Sequence, residues 1–100
     1  MKTYNVKILD TAEADIEELA DFLFENLSRE SAYRYLDFMR QEAKSLSVYA
    51  NCFSESRSKR IRSIHSKARR MVSHNHKWAF IFHIENETVF VDRILPSSIR

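Results

Sequence analysis

The stretch RSKRIRSIHSKARRMVSHNHK, residues 57 to 77, holds eight Lys or Arg, three His and no Asp or Glu, while the whole chain carries a formal net charge of only +2. Guanidinium and ammonium groups grip phosphate or carboxylate oxygens, Arg with two donors at once. Imidazoles take and release protons near neutral pH. Arg70, Lys77, His74 and His76 are therefore the side chains whose types suit chemistry on a phosphate. His74 and His76 stand two apart, so in a strand they would share a face and could pair on a metal. No Cys or carboxylate within the stretch completes such a site. The pair reads as solvated turn histidines, and neither a metal nor a cofactor is expected. Cys52, the one cysteine, reads as a small, partly buried apolar residue, since no helix N-terminus or paired base is evident to activate it.

The charge is unevenly divided. Residues 1–50 hold six Lys or Arg against ten Asp or Glu, and residues 51–100 hold ten against four, so the halves carry about −4 and +6. Such asymmetry argues for an electrostatic partner, nucleic acid or an acidic protein, and says nothing about fold. A chain of 100 residues makes one domain, residues 1–100, burying roughly 60 to 70% of its unfolded surface. No apolar run approaches the roughly 18 residues that span a bilayer, and the N-terminus lacks the plan of a signal peptide. A cytoplasmic protein with no membrane partner is expected.

The elements that must position these residues follow from periodicity. TYNVKIL, residues 3–9, alternates with Tyr4, Val6 and Ile8 on one side, as a strand does. Asp10 with Glu13 has the spacing of a capping box, and a helix follows over Thr11 to Asn26 with the stripe Ile16, Leu19, Ala20, Leu23 and Leu27. Ser28 can cap a second helix of about 20 residues whose stripe is Ala32, Leu36, Met39, Ala43 and Leu46. So short a break folds the two into a helical hairpin. After Tyr49 the periodicity fails and a loop is expected. Strands then follow at ARRMVSH, WAFIFHIE and TVFVDRIL. The chain has no Gly, so Asn26, Asn51, Asn75 and Asn86, at the breaks, are the candidates for left-handed backbone. Glu87 resists positive φ, which predicts a loop of three or four residues at Asn86. The fold class is α+β: a strand, a helical hairpin and a three-stranded antiparallel meander in one sheet, with the helices on one face. The last two strands, apolar on both faces, are central. The other face should present Ile81, His83 or Arg93. His83 reads as a structural histidine. Arg93 either partners Asp92 or a helix carboxylate, or belongs to a functional face.

The order of elements, with YNVKILDTAEADIEELADFL, SAYRYLDFMRQEAKSL and WAFIFHIENETVFVDRIL, resembles the RelE/ParE superfamily of toxins from type II toxin–antitoxin systems. That resemblance covers almost the whole chain. It implies a small toxin held inactive by a cognate antitoxin in a toxin–antitoxin hetero-oligomer. RelE-like members cut mRNA in the ribosomal A site without a metal, whereas ParE-like members bind and poison DNA gyrase and need no catalytic residues. Cleavage requires a group that takes the 2′-hydroxyl proton, one that neutralises the pentacovalent phosphate and one that protonates the leaving 5′-oxygen. In the nuclease branch the Arg of a Tyr-Arg strand motif neutralises that charge, but the matching positions here read Trp78-Ala79. Some nuclease members also carry a His after the last strand, where this chain has Pro96. The resemblance therefore implies the gyrase-binding branch, and the charge of the basic run makes Arg60, Arg62, Lys67, Arg69, Arg70 and Lys77, with Arg93, the expected binding surface. The alternative is a ribosome-dependent endoribonuclease acting on mRNA through Arg70, His74, His76 and Lys77. An inactive homologue, or a nucleic-acid-binding module with the basic run as its footprint, is the third reading.

Overall fold

Both halves of the chain meet in one four-stranded sheet of order β1-β4-β3-β2. Its strands are β1 (Asn5–Ile8), β2 (Arg69–Val72), β3 (Trp78–Glu85) and β4 (Thr88–Pro96); the computed structural model describes residues 2–100. Strand β1 runs parallel to β4, while β2, β3 and β4 are antiparallel neighbours. A parallel pair needs a long crossover, and all the chain between β1 and β4 supplies it. Helices α1 (Asp10–Asn26) and α2 (Arg29–Lys44), separated only by Leu27 and Ser28, form the hairpin. Ser28 caps α2, its Oγ accepting from Ser31 N at 3.2 Å. Ala12, Ile16, Leu19 and Leu23 of α1 and Ala32, Met39 and Ala43 of α2 are buried in one core with Phe80, Phe82, Val89 and Val91 of the sheet. Helices on one face of a mostly antiparallel sheet are the arrangement that the periodicity predicts.

Local chemistry corrects several details. No capping box closes α1: Leu9 is the cap residue, without a side-chain bond, and Asp10 is already helical. Glu13, which the box would need, instead takes both Arg40 Nη1 and Nη2 at 2.9 Å and ties α1 to α2. The second helix stops at Lys44, because Ser45 Oγ bonds back to the Glu42 carbonyl, the competition with helix bonding that short hydroxyl side chains offer. A one-turn helix α3 (Leu46–Tyr49) and a 3₁₀ turn (Ala50–Cys52) follow. That turn buries Ala50 and leaves Cys52 exposed. Leu27, counted in the α1 stripe, is 44% exposed. Of the four asparagines only Asn86 takes positive φ, 54°; the other left-handed residue among the described residues is His76, at 63°. Asn75 uses its side chain instead, Oδ1 accepting from Lys77 N at 3.0 Å. The β3–β4 loop has two residues, since Glu85 already pairs with Thr88. Asn86 alone takes positive φ, so Glu87 is spared the conformation that a type I′ turn asks of both residues.

Strand β1 pairs only with residues Thr88 to Val91 of β4, leaving the rest of that edge to α1. Thr11 Oγ1 donates to Asp92 O at 2.6 Å, and Ile94 N donates to Asp15 Oδ2 at 2.8 Å. Asp15 also accepts from Arg93 Nε and Nη2 at 2.8 and 2.9 Å. Arg93 is therefore the partner of a helix carboxylate and not of Asp92. Between these contacts β4 carries a bulge: Phe82 pairs with Val91 and Ile81 with Arg93, so Asp92 is the extra residue. Its carboxylate lies 2.7 Å from buried His83 Nδ1. A carboxylate can only accept, so Nδ1 is the protonated nitrogen.

Removing Asp15 leaves the Ile94 N–H without its acceptor and frees Arg93. Asp15→Ala should cost about 1.5–3 kcal/mol, and Asp15→Asn, which keeps one acceptor, should cost less; urea unfolding of the two variants checks the order. The Glu13 carboxyl is held below its ordinary value of 4.5 by the hydrogen bonds from Arg40, against a smaller opposing effect of burial. A depressed carboxyl contributes stability above its unfolded pKa and loses it as pH falls through the folded one. Arg40→Gln should therefore cost about 0.2–1 kcal/mol near pH 6, the range of solvent-screened pairs. The difference from the parent should shrink toward pH 3, measured by urea unfolding at both values.

Candidate functional site

The sheet face away from the hairpin is closed by the basic segment itself. Ile61 and Ala68 pack on Ala79 and Ile81, all 0% exposed, with Ile64 and Leu95 against them. His65 stacks on His83 with ring centroids 3.7 Å apart, and His83 stacks in turn on Phe90. The expectation that this face presents Ile81 and His83 is thus corrected: both are covered. The signal lay in the sequence, since Ile61, Ile64 and Ala68 stand three and four residues apart amid the charges. Nor are Arg57 to Arg62 all loop; Lys59–Arg62 make one helical turn, α4, with Ser58 as its cap. At about 100° per residue, burying Ile61 sends Lys59 to the opposite side and Arg60 and Arg62 to the flanks.

The predicted site residues fall into separate groups. Arg60, Arg62 and Lys67 are exposed on the covering segment, as are Arg57 and Lys59, which the sequence does not single out from their neighbours. None of these five forms an ion pair among the described residues. Arg69 and Arg70, adjacent on β2, serve the backbone: Arg69 Nη1 donates to Phe53 O at 2.7 Å and Arg70 Nη2 to Ser97 O at 2.6 Å. Arg93 is held by Asp15 at the far edge. His74, His76 and Lys77 are exposed in the β2–β3 turn, a turn and not a strand, so the two histidines do not share a strand face. Ser97 draws part of this set together, donating from N to Lys77 O and from Oγ to His76 O while it accepts from Arg70.

A second surface was not read from the sequence. Phe22 and Phe38 on the hairpin are 60% and 56% exposed. Each neighbours a stripe residue, Leu23 or Met39, on the side that the helix cannot bury. Trp78 stands between two apolar grooves, one lined by Leu27, Tyr35, Phe38 and Met39, the other by Leu19, Phe22, Leu95 and Pro96. The Tyr35 hydroxyl accepts from Trp78 Nε1 at 2.8 Å and from Asn75 Nδ2 at 3.1 Å, fixing the indole between them.

The sequence matches, over residues 6–100, the family model described as ParE toxin of type II toxin-antitoxin system, parDE. The chain belongs to the ParE toxin family. A solved structure titled "Chromosomal ParDE TA system from P. aeruginosa" is similar in fold, with a TM-score of 0.75 at 17% identity, covering 94% of this chain and 96% of that one. No curated protein sequence matches. Among the described residues, no helix of this ParE-family chain is long and apolar enough to cross a membrane.

In this ParE-family member, His65, His83 and Glu85 each bring a ligand atom within 4.8 Å of the others. The two imidazoles lie parallel, 1° apart, so their in-plane lone pairs cannot converge on one ion. His65 Nδ1 is moreover occupied by the Lys67 N–H at 3.0 Å. Metal binding there would require His65 to leave the stack. The ring pair instead fastens the basic segment to the sheet, beside Ile61. Ile61→Ala should cost about 2–5 kcal/mol and speed tryptic cleavage between Arg57 and Lys67 in the otherwise folded protein; unchanged cleavage would mean that Ile61 does not hold the segment down.

Proposed function

We propose that this chain is a cytoplasmic toxin of the ParE-like branch that acts by binding DNA gyrase, and that a cognate antitoxin neutralises it in a hetero-oligomer. One observation carries the choice of binding over cutting. Ala79 stands where the resemblance implies the catalytic Arg of a nuclease, and it is 0% exposed beneath Ile61. A substrate phosphate cannot reach that position while the basic segment covers it. Arg70 and Arg93, which pair with Ile81 from the two flanking strands, hydrogen-bond to Ser97 and Asp15. Protein binding, by contrast, needs exposed aromatic anchors and pockets beside them, and Phe22, Phe38 and the grooves at Trp78 have that character.

The competing reading, a ribosome-dependent endoribonuclease on mRNA, draws on the cluster around Ser97, where Arg70, His76 and Lys77 come together. A gyrase supercoiling assay run beside a translating mRNA-cleavage assay separates the two. Inhibition of supercoiling without cleavage is expected, and Phe22→Ser with Phe38→Ser should weaken inhibition by tenfold or more. Cleavage with supercoiling untouched would reverse the reading, and Arg70→Ala with Lys77→Ala should then abolish toxicity in a folded protein.

A further inference from the structure

The gyrase reading rests on Phe22, Phe38 and the grooves at Trp78, which leaves the outer face of residues 57–67 without an assigned partner, although the sequence puts its Arg60, Arg62 and Lys67 in the binding surface. Arg57, Lys59, Arg60, Arg62 and Lys67 are exposed and form no ion pair among the described residues. No acidic residue lies between Glu55 and Glu85 in the sequence; these two carboxylates flank the segment, Glu55 beside Arg57 and Glu85 beside Lys67, without forming an ion pair with either. The cations are also held in place: Ile61 and Ala68 are buried in the sheet, and His65 is stacked on His83. A mobile charged loop would lose side-chain and backbone freedom on binding. An anchored one has already met most of the backbone part of that cost on folding.

Two features of the same segment decide its partner. Its apolar residues Ile61, Ile64 and Ala68 all pack inward, so the outer face offers charge and hydroxyls but no apolar pocket. Protein partners, acidic ones included, bind through buried apolar or aromatic anchors ringed by polar groups, and such anchors are missing here. Nor does any aromatic residue occur between Phe53 and Trp78 except the imidazoles, so there is no platform on which single-stranded bases would stack. A partner recognised by its charge alone, through phosphates spaced regularly along a rigid rod, fits what remains. We propose that the outer face of residues 57–67 binds the phosphate backbone of a nucleic-acid duplex without reading its sequence. The proposal is independent of the gyrase reading, because the contact needs no third protein.

The test is fluorescence anisotropy of a labelled 20-bp DNA duplex titrated with the full chain over a range of salt. If four or five cations each displace a counterion, log K should fall with log salt at a slope of about −3.6 to −4.5, or roughly 150- to 500-fold weaker binding at 200 mM than at 50 mM salt. Lys59→Gln, Arg60→Gln and Arg62→Gln together should reduce that loss to roughly 3- to 12-fold, with the melting temperature of the protein little changed since Ile61 remains. If the triple variant fails to fold, Arg57→Gln with Lys67→Gln provides the same reading of slope. Absence of binding at 25 mM salt would overturn the proposal, as would a slope unaffected by either set of substitutions. Tighter binding of the single strand, or of a polyglutamate peptide, would overturn it in favour of a base-stacking or an acidic-protein partner.

Discussion

Strand β3 is buried on both faces, and most of the architecture answers that constraint. Ala79, Phe80, Ile81 and Phe82 are each 0% exposed and His83 only 7%. Full burial of a large apolar side chain contributes about 1.5–3 kcal/mol, so neither face can be left to solvent cheaply. The hairpin covers Phe80 and Phe82. Among the described residues there is no second long helical pair, and cover for Ala79 and Ile81 comes from the segment before β2, with its single helical turn α4. That segment turns Ile61, Ile64 and Ala68 inward and, having little other apolar material, must turn its cations outward. The charge display is thus a consequence of how the sheet is closed, whatever use the protein makes of it.

The hairpin's position has its own cause. β1 is too short to pair the whole of β4, and unpaired strand edges are a liability that folds must cover. Thr11 and Asp15, on the first turns of α1, take the backbone groups of Asp92 and Ile94 that β1 leaves unpaired. These contacts fix α1 along the edge of β4 at the bulge. The same bulge turns Asp92 to His83, so one irregularity serves both layers. Because α1 is held there, Phe22 lies beside Leu95 and Pro96, and Trp78 is left between two grooves instead of beneath a helix.

What was legible in the sequence follows the strength of each signal. The hairpin, the order of strands and the central place of β3 and β4 rest on long periodic patterns, and these survive in three dimensions. Turn details do not, because they depend on which residue must bend: His76, not Asn75, takes the left-handed position, since Asn75 is worth more as a hydrogen-bonding side chain to Lys77, Ser73 and Tyr35. The roles of the arginines were the least legible. Arg60 and Arg69 are alike in sequence context, yet one is exposed and the other ties β2 to the Phe53 carbonyl. Only the tertiary distance to a carbonyl or carboxylate tells a free cation from a structural one. The exposed Phe22 and Phe38 were hidden for a related reason: an apolar residue next to a stripe reads as core until the width of the buried face is known.

The two surfaces differ in character and share no exposed side chain, although Leu95 lines one groove and packs beneath the basic segment. Aromatic side chains and grooves belong to the hairpin side, and the unpaired cations to the side covered by residues 57–67. Lys59 and Arg60 line neither groove at Trp78, so an apolar contact and a phosphate contact would use different side chains. Two modest contacts made at once reinforce each other through effective concentration. A small toxin with a single groove would have to gain all its affinity there. One that holds a protein on one face and a polyanion on the other can act on a target that is itself bound to nucleic acid, with each contact individually weak and the salt dependence confined to one of them.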